Sequence, residues 1–293
     1  MTSTPTERHS VITHTIGPRG TLVLRTVRGS VRVRGVDTAE VRVEARYPGS
    51  SDPNADEGAL RVTRADDLLQ VEVDDTDARR VSHLGRLFGD GRPRVDFDVT
   101  MPRTASLRVS GVSADMDVAG LDGTHEIRTV SGDIRMADLA GSLSLNSVSG
   151  DASVSGGRLA VQASTTSGDL ALSAEVLRKV QVRTVSGDVR IAGSLDAADP
   201  HSVETISGDV ELVPGNGVAV SMTSVSGSIH SSGLGRPDQS RGRGSLVVGN
   251  GAATLSFRTM SGDMEVRRAD PSASSPPAAA DAPAAAGGLD ADG

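Results

Sequence analysis

The sequence predicts an all-β chain: a single-chain parallel β-solenoid (β-helix) of about 18–21-residue coils with an N-terminal β cap region. Three observations carry that expectation. A short motif recurs. Arg128-Thr129-Val130-Ser131-Gly132-Asp133-Ile134-Arg135-Met136 is nearly repeated in Thr184-Val185-Ser186-Gly187-Asp188-Val189 and in Thr205-Ile206-Ser207-Gly208-Asp209-Val210. Looser copies contain Ser149-Gly150-Asp151, Ser167-Gly168-Asp169, Ser226-Gly227-Ser228 and Ser261-Gly262-Asp263, and Val112-Ser113-Ala114-Asp115 lies upstream. The spacing is nearly fixed: the motif serines at 113, 131, 149, 167, 186, 207, 226 and 261 step by 18, 18, 18, 19, 21, 19 and 35. Within each unit the apolar period is two, as in Ile134 and Met136, Leu170 and Leu172, or Val189 and Ile191, the pattern of a strand with one buried face.

Self-similarity at such a period marks a repeat architecture, in which each unit buries its apolar face only against its neighbours. A propeller blade needs about forty residues and four strands, and no alternation at double period is visible. Stacking equivalent strands in parallel uses the 18-residue step directly. It sets like residues above one another: a Thr/Ser column at 129, 147, 165, 184, 205, 224 and 259, with a Val/Ile column beside it. At about 4.8 Å per level, eight or nine coils make a rod of roughly 40 Å. Ser-Gly-Asp between the runs supplies a turn, with Gly free to take φ > 0 and Asp able to bond nearby N–H groups.

Along the chain, residues 1–10 read as a flexible tail and 11–104 as an N-terminal β portion that opens or caps the array. Within it, Leu22–Val33 is an outlying copy with Arg28-Gly29-Ser30 in place of Ser-Gly-Asp, and strands are expected at 60–63 and 69–73 around the turn Ala65-Asp66-Asp67. The array proper spans 105–268. The 35-residue gap holds either a long loop at 233–244 or a degenerate coil around Arg243–Val248. From Ala269 to the end the Ala, Pro, Ser and Gly composition reads as disorder.

Hydrophobic residues make up 37% of the chain, with no Trp, one Tyr and three Phe, as suits a narrow interior of Val, Leu, Ile and Ala. The net charge of −8, with both signs alternating on the polar faces, argues against nucleic acid, which wants a basic stripe. The position before the Thr/Ser column agrees: Arg128, Asn146, Ser164, Arg183, Glu204, Thr223 and Arg258 form no basic ladder. Cysteine is absent, so there is no disulfide or thiolate chemistry. The N-terminal ten residues lack a signal peptide's apolar core, and no stretch approaches the roughly 18 apolar residues of a spanning helix. A cytoplasmic location, with peripheral membrane association, is the expectation.

The repeated Thr-Val-Ser-Gly-Asp-Val-x-Ile pattern, preceded by an extended segment ending Val99-Thr100-Met101-Pro102, resembles the bacterial family of unknown function labelled putative adhesin, also called toastrack, over about 20–268. The resemblance implies a β-solenoid with no established activity. It also implies a link to the envelope, since some relatives are attached to membrane segments or to envelope-stress signalling proteins.

Candidate sites are few. The Asp column could be a calcium ladder, but one carboxylate per coil supplies few of the six to eight oxygens such a site takes. The simpler reading makes Ser131, Gly132, Asp133, Ser149, Gly150, Asp151, Ser186, Gly187, Asp188, Ser207, Gly208 and Asp209 a structural turn motif, with Asp bonding in its own turn and Ser and Thr bonding along the stack. The six His residues show no metal spacing and no carboxylate partner, so no catalytic residue, cofactor or metal is expected. Leu84, Leu87 and Phe88, spaced as one face of a short helix behind Arg79 and Arg80, either cap the solenoid end or dock a partner; Arg86, Leu87 and Phe88 are the candidate contact. Three function classes follow: a non-catalytic interaction or scaffold module with a protein partner, a surface adhesin or glycan-binding protein exported by an unrecognised route, and a polysaccharide-active enzyme. Unpaired terminal strands also allow an end-to-end homo-oligomer.

Overall fold

The computed structural model describes residues 7–48, 60–73, 94–234, 236–240 and 242–268, and all regular structure among them is strand. The N-terminal strands are β1 (Glu7–Thr15), β2 (Thr21–Arg25), β3 (Arg28–Val36), β4 (Glu40–Pro48), β5 (Leu60–Ala65), β6 (Leu68–Val73) and β7 (Asp96–Pro102). The repeats form β8 (Ser106–Ser110), β9 (Ser113–Ala119), β10 (Asp122–Thr129), β11 (Ile134–Ser147), β12 (Ala152–Thr165), β13 (Leu170–Ser186), β14 (Val189–Leu195), β15 (His201–Ser207), β16 (Val210–Pro214), β17 (Val218–Ser226) and β18 (Ile229–Ser232). The strands β19 (Asp238–Ser240), β20 (Arg243–Val248), β21 (Ala253–Ser261) and β22 (Met264–Arg267) follow. The architecture is all-β, and its sheet pairing is mostly parallel.

Two parallel ladders run through the molecule, one on each side of the Ser-Gly-Asp turns. Before the turn, Ile127 pairs in register with Leu145, Leu145 with Ala163, Ala163 with Val182, and Val182 with Val203. After it, Ile134 pairs with Ala152, Ala152 with Leu170, Leu170 with Val189, and Val189 with Val210. Like residues of successive copies therefore sit on one another, and every residue just named is buried. The two columns face each other as the core. Each fully buried Val, Leu or Ile contributes about 1.5–3 kcal/mol over its exposed state. Repetition of that contribution, level upon level, substitutes for the large aromatics the chain lacks.

At both ends the levels leave chain order. Strands β2 and β3 lie between β6 and β7 on one side and β8 and β9 on the other, with Leu24 against both Val71 and Val109 and Val31 against both Phe97 and Met116. At the far end the last copy is inserted: Val203 pairs with Phe257, and Phe257 with Met222. The Ser261 copy thus lies between the Ser207 and Ser226 copies. Residues 11–104 accordingly divide into two kinds. Strands β2, β3, β6 and β7 extend the parallel ladders, whereas β5 pairs antiparallel with β6, β4 with β7, and β1 with β4. Of the two readings of the gap before Ser261, a degenerate coil at Arg243–Val248 does not hold. That segment is β20, antiparallel to both β17 and β19, so it closes the ladder instead of lengthening it.

Candidate functional site

Where the two ladders meet at the motif turn, five consecutive residues divide the work of the edge. Thr129 points inward at 5% exposure, and its hydroxyl donates to the Ser131 carbonyl, 2.9 Å away in the same turn. Ser147, Thr165, Thr184 and Thr205 repeat this bond to Ser149, Ser167, Ser186 and Ser207 at 3.0–3.1 Å. Val130 points outward. The Ser131 hydroxyl donates to the carbonyl of Val112 one level away at 3.2 Å, as Ser149 does to Val130.

Glycine holds the fourth position from the Ser131 copy onward, with Ala114 in its place in the Ser113 copy. Gly150 has φ +102° and Gly187 φ +122°, and a Cβ built on either would lie 2.3–2.4 Å from the carbonyl oxygen of the glycine one level away. The fifth residue ties the levels together. The Asp188 backbone N–H donates to Asp169 Oδ1 at 2.8 Å, and that of Asp209 to Asp188 Oδ1 at 2.9 Å. The series runs from Asp115 through Asp263, where the Ser228 N–H and hydroxyl take up the last carboxylate.

The expected division of labour is thus changed. Asp bonds along the stack and Thr within its turn, while Ser bonds along the stack as expected. A donor 18 residues away and one two residues away are equally open to these side chains, so sequence spacing alone could not choose. Three buried hydroxyls, those of Thr26, Ser224 and Thr259, have no hydrogen-bond partner, and all three belong to levels that sit out of chain order.

Beside the Asp column lies a groove of about 650 Å³ lined by the aspartates together with Arg135, Arg190, Glu211 and Glu265. Its charges pair with one another and with the neighbouring Arg267: Arg190 with Glu211 at 3.2 Å, Arg267 with Glu265 at 2.7 Å and with Glu211 at 3.5 Å. The Arg267 guanidinium holds the Glu265 carboxyl below the usual carboxylate range. No group of three or more potential metal ligands occurs among the described residues.

His230 Nε2 lies 2.8 Å from Ser228 Oγ, and that hydroxyl is 3.0 Å from Asp263 Oδ1. The carboxylate therefore engages the hydroxyl and not the imidazole, whereas a nucleophile–base pair needs the third group to orient the base. On the other face, Thr124, Glu126, Ser142, Gln162, Lys179 and Gln181, together with Leu143, Ala160 and Val161, line a shallow depression of about 430 Å³.

The most uneven feature of the surface is apolar. Of the ten large hydrophobic residues exposed among the described residues, seven are the outward residue of this turn: Val112, Val130, Val148, Val185, Ile206, Met260 and Val225. They stack in one column, interrupted only where Thr166 takes the place. Sequence parity could have found them: Ile127 and Thr129 share the buried face, so Val130 must point away. The candidate contact Arg86, Leu87 and Phe88 lies outside the described residues.

The toastrack family profile, Toastrack DUF4097, matches residues 20–267. No curated protein matches the chain. Among solved structures, a putative adhesin from Bacteroides fragilis is similar at TM-score 0.53 and 10% identity, covering 90% of this chain and 98% of its own. A putative cell adhesion protein from Clostridium sporogenes covers 90% of this chain and all of its own at TM-score 0.30 and 10% identity. A putative lipid binding protein from Parabacteroides distasonis covers 89% and 97% at TM-score 0.32 and 10% identity. Of these three, the Bacteroides structure superposes well enough to speak for a shared fold, and at 10% identity it speaks for the fold alone. With the family profile spanning the parallel ladders from β2 to β22, the chain belongs to the toastrack family.

Proposed function

We propose that this protein is a non-catalytic interaction or scaffold module: a parallel β-solenoid of 18–21-residue coils whose motif edge is its recognition surface. The register steps of 18, 18, 19 and 21 residues from Ile134 to Val210 support the coil length. The observation that carries the function is the apolar column. Exposed hydrophobic residues scattered singly are ordinary, but a contiguous patch marks a place where something binds, and here seven of ten share one line. From Thr129 to Thr205 the hydroxyls beside it are already engaged in their own turns, so over those levels little but apolar surface is left for a partner.

The test is affinity capture with the full chain and with a Val148→Asp/Val185→Asp variant. Both positions are exposed, so the variant keeps its strand signature and melting point; the expected result is that it loses the captured partner. Identical capture by both chains overturns the reading. Arg86, Leu87 and Phe88 are proposed, on sequence grounds, as a second contact. We further propose a cytoplasmic or peripherally membrane-bound location, linked to envelope-stress signalling; no helix of the described residues is long and apolar enough to cross a membrane.

A second reading, a surface adhesin or glycan-binding protein, draws on the depression of the other face. Thr124, Ser142, Gln162 and Gln181 offer hydroxyl and amide groups in adjacent levels, the chemistry that meets sugar hydroxyls. Binding to a glycan array that disappears in Gln162→Ala/Gln181→Ala, with loss of the protein from intact cells under protease, would move the function there.

A further inference from the structure

Resting on that reading of the motif edge, we infer that its occupant is a second copy of this chain, with two rods zipped side by side and parallel. The column from Val112 to Val225 runs over eight levels, about 34 Å at 4.8 Å per level. Its two flanks differ sharply in charge. Two residues before the column stand Arg128, Arg183, Arg258 and Glu204 among the neutral Ser110, Asn146, Ser164 and Thr223, and three residues after it stand the seven aspartates from Asp115 to Asp263. Glu204 lies 3.1 Å from Arg183 and 3.4 Å from Arg258, and Arg128 is paired with Glu126, so this flank keeps a small positive excess, while the other carries a carboxylate at seven successive levels, of which Asp133 is paired with Arg135 at 3.7 Å.

A two-fold dimer through one edge has two arrangements. If the axis crosses the rods, the copies run antiparallel and each flank meets its own kind. Seven carboxylates then oppose seven, a juxtaposition that suppresses pairing. If the axis lies along the rods, the copies run parallel and the arginine flank of each faces the Asp column of the other. Every level then meets itself, Val130 against the same residue of the second copy and Met260 against the same residue. Arg128 comes to the level of Asp133, Arg183 to that of Asp188 and Arg258 to that of Asp263. Electrostatics therefore selects the parallel dimer, and the apolar column supplies its dry seam. An anionic lipid surface is disfavoured by the same Asp column, which would be carried against the headgroups.

The chain has no cysteine, which makes the test direct. Sedimentation velocity of the full chain over micromolar to hundred-micromolar concentrations should show a monomer–dimer equilibrium. It should weaken with added salt and weaken at least about tenfold in Val148→Asp/Val185→Asp. Single Val130→Cys and Met260→Cys chains, each carrying one thiol, should both be joined into covalent dimers by a short bis-maleimide. In an antiparallel dimer each of these positions lies about five levels, roughly 24 Å, from its own copy, and only a mixture of the two chains would link. A monomer at every concentration, cross-linking only in the mixture, or a dimer that survives both aspartates would each overturn the proposal. A monomeric chain overturns the dimer alone; the interaction reading falls only if capture of every partner also survives those aspartates.

Discussion

Replacing His125 by leucine should make this protein more stable, and increasingly so as pH falls. His125 is fully buried and lies in register between Leu107 and Leu143, and neither ring nitrogen has a hydrogen-bond partner. His201, the other buried histidine among the described residues, is differently placed: its Nδ1 accepts the Val180 N–H at 3.1 Å and its Nε2 lies 2.8 Å from the Asp196 carbonyl. Burial pushes the His125 pKa down from 6.5 to about 4, and the Asp122 carboxylate and the Ala140 backbone offset only part of that.

The sign follows from proton counting. Between pH 6.5 and 4 the unfolded chain binds a proton that the folded chain refuses, so the native state loses stability as pH falls through that window. Above it nothing is lost. At about 1.4 kcal/mol per pH unit the full loss is roughly 3 kcal/mol. Leucine matches both neighbours, removes the titration and removes two unpaired polar atoms, so at pH 7 the variant should gain about 1–3 kcal/mol. Urea unfolding of both chains at pH 7.5, 6, 5 and 4.5 reads the difference between them, which cancels the titration of groups they share. The difference should widen toward acid. A difference that stays constant with pH, or a variant less stable than the parent at pH 7, would refute the account of His125 as an unpartnered neutral ring.

Other predictions address the turn. Gly187→Ala sets a methyl 2.3 Å from the Gly168 carbonyl oxygen at φ +122° and should cost at least about 3 kcal/mol. Gly157→Ala, with open space around the new methyl, should be nearly neutral in the same denaturation assay. Asp188→Asn keeps an oxygen for the Asp209 N–H and should leave the melting point close to the parent, whereas Asp188→Ala should lose about 1 kcal/mol.

How much of this could be read beforehand depends on the kind of information each feature needs. The parallel ladders follow from local facts: the 18-residue step, the alternation through Ile134 and Met136, and glycine wherever a Cβ would meet backbone. The order of levels does not. The copies at Ser207, Ser226 and Ser261 carry the same in–out pattern, and any could sit on any other, so nothing in the motif says that Phe257 belongs between Val203 and Met222. That choice is made by the antiparallel closure of β20 on β17, a non-local pairing without a signature at Arg243–Val248. The apolar column was legible in principle, because parity fixes it. It is easily passed over, since Val beside Thr reads as generic strand composition.

The inserted last level bears on how such a chain can change length. Because the Ser261 copy is wedged between two earlier ones, the final residues of the array work like a keystone, and a further unit appended after Arg267 could not stack on the level before it, whose strands β21 and β22 already have a neighbour on each side. New levels can enter only where neighbours are consecutive in sequence, between the Ser113 and Ser207 copies. There an 18-residue duplication adds one tier and leaves both closures untouched. Rods of different length in this family would then be expected to vary in the middle and to keep the same two ends.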